Sequence, residues 1–373
     1  MRCLGGYVLP LPASAEVRVP NHQPKVGTLS AESSHRGSPL QRLPLVTLYL
    51  TERCNSRCVT CDYWRHGRLD MNLERLIGLL PNLRDLQTRV ALLSGGEPLL
   101  NPAWAEMARL LKDNGQSVWL LTSGLALAKH ARRVAQLFDR VTVSLDGTNG
   151  QTYAAIRGLD AFDKVCEGIR AAADLGVPVG VRVTLQRANY RELTSFVAVA
   201  RQAGASQVSF LAVDVGNPHA FGRVDDSRLD VGLRAEDLSE FERLLGVLET
   251  EHAEDFRKGF IAESPQKLRR LLKYFAAVGG TDAYPPVRCN APEFSAVVGV
   301  NGRVQPCFFI QGPAEAAAYP DFESSLNSAA MTALRADIRE QKRPECATCV
   351  CSMWRAPETF AYTDFLLARP AAA

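Results

Sequence analysis

The chain has 373 residues, 22% of them charged and 46% hydrophobic, which places it among ordinary globular proteins rather than disordered or fibrous ones. Lysine and arginine (43) exceed aspartate and glutamate (40) by only 3, so there is no strong positive field for a nucleic acid partner. No apolar run is long enough to span a bilayer, and the start, MRCLGGYVLPLPASAEV, lacks the apolar stretch of a secretory signal.

Residues 1–44 are rich in proline, serine and basic residues and read as a disordered leader. From residue 45 strands and helices alternate. LVTLYL (45–50), RVALLSGGEPLL (89–100), QSVWLLTSG (116–124), RVTVSLDG (140–147), PVGVRVTLQ (178–186) and SQVSFLAVD (206–214) are apolar, strand-like runs. Between them lie helical patterns at 101–115, with Asn101 as cap, at 160–177 and at 190–205. That is about six β–α units, which imply a parallel sheet with right-handed crossovers, either open or an incomplete barrel. In both, ligands sit at the carboxyl ends of the strands. The first cysteine loop, GGEP and SLDG all follow their strands directly, so they are expected to converge on one rim.

Residues 216–285 are mostly helical, with clear cases at 235–252 and 264–280. A hairpin is predicted around Asn301-Gly302 within 294–309. A helix over 327–341 leads to CATCVC. The expected organisation is therefore a core over 45–215, a helical connector to 285, a small cysteine-bearing module over 286–355 and a tail over 356–373.

Ten cysteines are present. Without a signal peptide, the expected compartment is the reducing cytoplasm, where clustered cysteines bind metal more often than they form disulfides. Cys3 and Cys166 stand alone. Cys54, Cys58 and Cys61 are crowded as C-x3-C-x2-C, and Cys289, Cys307, Cys346, Cys349 and Cys351 form a second group. A closed zinc site takes four ligands. A 4Fe–4S cluster takes one thiolate per iron, so three thiols in one loop leave one iron open. A partial zinc site is the alternative for the loop, and a zinc ribbon is the alternative for the second group.

C-x3-C-x2-C after a first strand, followed by GGEP after the second, resembles the radical S-adenosylmethionine superfamily over about residues 45–215. The resemblance implies a partial (β/α)6 TIM-like barrel. It also implies a 4Fe–4S cluster on Cys54, Cys58 and Cys61, whose open iron chelates S-adenosylmethionine. A 5′-deoxyadenosyl radical would then abstract hydrogen from an unactivated C–H bond. Gly95, Gly96 and Glu97 match the turn that meets the methionine amino group; glycines allow close backbone approach and a carboxylate pairs with an ammonium. Ser144 and Asp146 match the ribose contacts, although Asp146-Gly147 also reads as a simple turn. Arg182, Thr184 and Asn189 fall where related enzymes hold the cofactor, and Arg157 is a further candidate. Tyr63 lies where the family reads the adenine amine through the backbone. Thr60 stands where the family often has an aromatic residue, which leaves adenine stacking from that position in doubt; Trp64 reads as core.

The second group, C-x12-G-x4-C then C-x2-C, resembles a SPASM or twitch extension. Five cysteines are too few to ligate two clusters fully, so one auxiliary 4Fe–4S cluster on Cys289, Cys307, Cys346 and Cys349 is implied. Cys351 could replace Cys349, donate hydrogen to a substrate radical, or pack. The resemblance implies oxidation or substrate binding assisted by that auxiliary cluster. Its expected substrate is small and polar, such as a sugar, cyclitol or nucleotide, with a flavodoxin- or ferredoxin-like electron donor. No nucleic acid or membrane partner is expected. A peptide maturase is the alternative, and a non-catalytic iron–sulfur electron carrier is the alternative of another class. In the loop after the sixth strand, Asp214, Asn217, His219 and Arg223 offer groups for hydroxyls or phosphate, or are simply a polar connection.

Overall fold

A computed structural model describes residues 39–223, 229–317 and 321–357. The leader before residue 39, Cys3 and the tail from 358 lie outside the described residues. Six strands run in parallel: β1 (Leu45–Thr51), β2 (Val90–Gly95), β3 (Ser117–Thr122), β4 (Arg140–Ser144), β5 (Val179–Leu185) and β6 (Gln207–Ala212). Two further strands, β7 (Ser295–Val298) and β8 (Val304–Gln305), form the hairpin around Asn301-Gly302. The order is β6-β5-β4-β3-β2-β1-β7-β8, an open mixed sheet. β7 pairs in parallel with β1, Leu45 opposite Ser295 and Leu48 opposite Val298, so the second cysteine group hangs from the same sheet as the first.

Alternation sets the faces. On β4, Val141 and Val143 are fully buried under the helices, while Arg140, Thr142 and Ser144 take the other face and are less covered. Register partners share a face: Tyr49 with Ser94, and Ser144 with Arg182 and then Ser209. These residues line the inner side of the curved sheet. On the outer side Phe196 and Phe210 are buried with their rings 6.3 Å apart, each contributing about 2–3 kcal/mol of apolar burial.

The helix expected from Asn101 starts later, at Trp104, and runs to Asp113. Asn101 is turned inward: its amide donates to the Leu50 and Met71 carbonyls at 2.6 and 2.9 Å, and its Oδ1 accepts the Ala103 N–H. The connector helices Ala235–Glu251 and Pro265–Val278 pack on the β6 side, with Tyr190 donating to Asp237 at 2.7 Å. Ile261 pairs with Val208, covering the free edge of β6. Among the described residues no helix is long and apolar enough to cross a membrane.

Candidate iron–sulfur and cofactor site

The cysteine loop follows β1 and is moulded by three neighbours. Gly96 N–H and Glu97 N–H donate to the Thr51 and Arg53 carbonyls at 2.7 and 2.8 Å. Arg57 and Val59 N–H donate to the Arg157 and Ile156 carbonyls at 2.9 and 3.0 Å, and Asp62 N–H donates to Phe221 O at 2.8 Å. The Gly-Gly turn is obligatory for this fit. Gly95 has φ +121°, and a Cβ on Gly96 would lie 2.3 Å from the Arg53 carbonyl oxygen.

The loop gathers Cys54, Cys58 and Cys61. Ser56 N–H donates to Cys54 Sγ at 3.5 Å and Arg157 Nη1 to Cys58 Sγ at 3.4 Å. Burial pushes the Cys54 thiol up to about 11, with Cys58 adding to the rise. Burial pushes Cys61 up to about 12, with Cys58 and Cys54 adding to it. The ring of Trp64, expected in the core, is half-buried and donates to Cys58 O at 3.3 Å. Tyr63 N–H faces the Cys61 thiol, and its ring lies 6.1 Å from that of Tyr49.

Among the described residues no three His, Cys, Asp or Glu side chains converge on a point suited to a single metal ion. A cluster with one thiolate per iron needs its thiolates spread apart instead. The donor set fits such a cluster: three thiols, with N–H groups and a guanidinium turned toward the sulfurs.

Glu97 is fully buried and does not face open space. Its carboxylate accepts Thr122 Oγ1 at 2.8 Å, Ser123 N–H at 2.7 Å and Leu99 N–H at 3.2 Å, tying the β2 turn to the end of β3. Ser123 in turn donates to Asn55 in the cysteine loop at 3.2 Å. Burial raises the Glu97 pKa, and its hydrogen bonds only partly offset this. A folded value above the unfolded one means its stabilising effect is complete below about pH 4.3 and is lost as pH rises through the folded value. Glu97→Gln is therefore expected to gain on the wild type as pH rises from about 4 to 8, read from urea midpoints. A difference that stays flat across that range would contradict it.

Asp146 and Asn189, expected to touch the cofactor, are bound up inside the protein. Asp146 Oδ2 pairs with Arg157 Nη2 at 2.7 Å, the side chains being 5% and 11% exposed, and Oδ1 accepts Thr184 N–H at 2.7 Å. Asn189 donates to the Asp146 and Thr184 carbonyls at 3.0 and 3.1 Å and accepts Gln186 N–H at 2.8 Å. Burial opposes the charge on Arg157, but Asp146 and Cys58 outweigh it and hold the guanidinium more firmly charged than usual. Asp146 thus places Arg157 on a cysteine. Ser144, Arg182 and the side chain of Thr184 take the inner face, and Arg182 is exposed there.

The second group also assembles. Cys346 packs with Ile310 and Ile338 beside Cys307, and Cys289 packs beside Phe294, Leu45 and Met353. Burial pushes Cys307 to about 12 and Cys346 to about 11, with Cys289 adding to both. Cys349 is raised well above the usual range by burial and then by Cys351, Cys307 and Cys289. Cys351 N–H donates to Cys349 Sγ at 3.3 Å. The Cys351 thiol is raised by burial and by Cys289, and is eased down by the charges of Lys267 and Arg182. Five thiols therefore share one neighbourhood. Cys166 is elsewhere, half-buried on the helix Phe162–Ala173.

Tyr49 was missed by the sequence reading. Its ring contacts Tyr63 and, at 6.5 Å, Phe308, so it stands between the two cysteine groups. The alternation of LVTLYL marks it as facing opposite to Leu48 and Leu50, which was the available signal. Ser209 and Glu263, bonded at 2.9 Å beside Arg182's face, were missed as well; only the edge pairing of Ile261 brings Glu263 there.

An open, mostly parallel βα sheet carrying a three-thiol loop at its carboxyl rim defines a class of iron–sulfur βα-barrel proteins. Residues 48–198 match the family model described as the radical SAM superfamily. A probable GTP 3′,8-cyclase of Saccharolobus solfataricus is 32% identical over 200 residues, covering 52% of this chain and 64% of the relative. An AdoMet-dependent heme synthase of Methanosarcina barkeri is 29% identical over 167 residues, covering 43% and 48%. The matched stretch is thus under two thirds of either relative's length. Streptococcus suis SuiB bound to S-adenosylmethionine superposes with a TM-score of 0.61 at 12% identity, over 84% of this chain and 73% of SuiB. Native anSMEcpe with bound AdoMet superposes with a TM-score of 0.61 at 16% identity, over 83% and 89%. These likenesses show the fold: a partial barrel. The family implies a 4Fe–4S cluster and S-adenosylmethionine.

Proposed function

We propose that the chain is a radical SAM enzyme that holds a 4Fe–4S cluster on Cys54, Cys58 and Cys61 and S-adenosylmethionine beside it. The observation that carries this is the cysteine loop itself: three thiols moulded against the Gly95-Gly96 turn, with no fourth in the loop. When bound, the pair supplies one-electron cleavage of the cofactor and abstraction of hydrogen from an unactivated C–H bond. The protein's part is to orient and enclose. Gly95 and Gly96 bring backbone close enough to meet the methionine end. Ser144, Arg182 and Thr184 offer hydroxyls and a guanidinium from the inner face. Asp146, Asn189 and Glu97 keep that frame rigid from behind.

The second group, with Cys289, Cys307, Cys346 and Cys349 as ligands, holds an auxiliary 4Fe–4S cluster that assists oxidation or substrate binding. The inner face is lined by Ser144, Arg182, Ser209 and Glu263, which suits a small polar substrate such as a sugar, cyclitol or nucleotide. A peptide is the second reading, supported by the shared fold of SuiB, whose structure bound to the precursor peptide SuiA is known. A flavodoxin- or ferredoxin-like protein supplies electrons in a reducing cytoplasm.

The test is iron and sulfide content, EPR and cofactor turnover on oxygen-free protein, wild type against a Cys54→Ala, Cys58→Ala, Cys61→Ala variant. About eight irons falling to about four is expected, with 5′-deoxyadenosine formed after dithionite reduction by the wild type alone. About four falling to none would remove the auxiliary cluster. Full iron with no cofactor cleavage would favour an electron carrier instead.

A further inference from the structure

The loop after β6 ties the two cysteine groups together, and one of its side chains reaches a cysteine through a single peptide group. Asp214 and Arg223 form an ion pair at 2.7 Å, with side chains 6% and 5% exposed. Arg223 also donates to the Asp214 and Asn217 carbonyls at 2.6 and 2.9 Å, and the Asp214 carboxylate accepts Asn217 N–H at 2.9 Å. Asp214, Asn217 and Arg223 therefore close the loop into a ring, the polar connection that was one of the two readings of this segment.

Two contacts leave this ring. Phe221 O accepts the N–H of Asp62, the residue after Cys61. Phe221 has φ +59°, a conformation that a bulky residue keeps only where its surroundings impose it. On the other side, Asn217 Nδ2 donates to Phe309 O at 2.8 Å in buried surroundings. The far end of that same peptide is the N–H of Ile310. Both it and the Phe309 N–H are directed at the Cys307 sulfur.

We propose that Asn217 is a positioning residue for the auxiliary site: by holding and polarising the Phe309–Ile310 peptide it strengthens the N–H bond to Cys307 and raises the electron affinity of the cluster bound there. The inference rests on reading the second cysteine group as an iron–sulfur site. Hydrogen bonds to ligand sulfurs stabilise the added negative charge of the reduced cluster, and partners behind the ligands tune metal sites. Linked hydrogen bonds reinforce one another in a buried setting, so loss of the first weakens the second.

The experiment is an EPR-monitored redox titration of the full chain, reconstituted without oxygen. The front cysteines are replaced by alanine so that only the auxiliary signal is seen. Asn217→Ala and Asn217→Asp are compared with their parent. Asp keeps the oxygen that accepts His219 N–H at 2.8 Å but loses the amide donor. Both variants are expected to keep their iron and to titrate at a more negative potential. An unmoved potential with iron retained overturns the inference. So does a shift in Asn217→Ala alone, because that traces to the His219 contact and the loop. Should Asn217→Ala fail to take up iron, the nearly isosteric Asn217→Asp decides. A parent with no auxiliary signal at all removes the iron–sulfur reading, and the inference with it.

Discussion

Asp146→Ala is expected to lose about 3–5 kcal/mol of folding stability, because it strands a buried guanidinium without its partner. The pair with Arg157 is enclosed, and the same carboxylate satisfies Thr184 N–H. Removing it unpairs a charge and a backbone donor together. The effect should reach the cysteine loop, since Arg157 bonds Cys58 Sγ through the side chain and Arg57 N–H through its carbonyl. The checks are urea unfolding at unchanged m-value and iron content of the reconstituted protein. A loss below about 1 kcal/mol, the size of a solvent-screened surface pair, would show that the pair is not buried in solution. Asp146→Asn, which keeps an oxygen for Thr184, should fall between the two.

Gly96→Ala is expected to empty the front cysteine site while leaving the sheet folded. Its Cβ would meet two backbone oxygens, of Arg53 at 2.3 Å and of Glu52 at 2.6 Å, and neither is the flexible end of a side chain. Relief requires the cysteine loop to move off the turn, breaking the Gly96 and Glu97 N–H bonds to Thr51 and Arg53. Overpacking of this kind costs about 1–3 kcal/mol, occasionally more, well within what a large domain survives. Iron should fall by about four per chain, with circular dichroism and the auxiliary EPR signal retained. Full iron loading with an unchanged front signal would mean that the loop has slack the geometry does not show.

Much of this architecture is legible in the residues. The six strand-like runs of the barrel are β-branched and apolar, packed under helices, and their burial needs no long-range information to recognise. The three thiols and the Gly-Gly turn follow their strands directly, so parallel strands bring them to one rim. What residue type and spacing determine is which chemistry is on offer and at which end of the sheet.

What they leave open is which way each side chain turns and what it meets. The carboxylates of Glu97 and Asp146 read as cofactor contacts, yet both point into the frame, because the N–H groups of Ser123 and Thr184 and the guanidinium of Arg157 were there to take them. The parallel pairing of β7 with β1 joins opposite ends of the chain, and no local pattern specifies it. That pairing brings Phe308 to Tyr49 and Phe309 to Asn217, and so makes one neighbourhood of two cysteine groups. The physical reason is that a strand's own sequence carries its periodicity and propensity, whereas a buried hydrogen bond depends on donors supplied from remote parts of the chain. The sequence alone determined the run of parallel strands, the thiol loop at their rim and the likeness to the radical SAM superfamily; the tertiary structure decided which polar residues lie on the inner face and which are bound up in the walls.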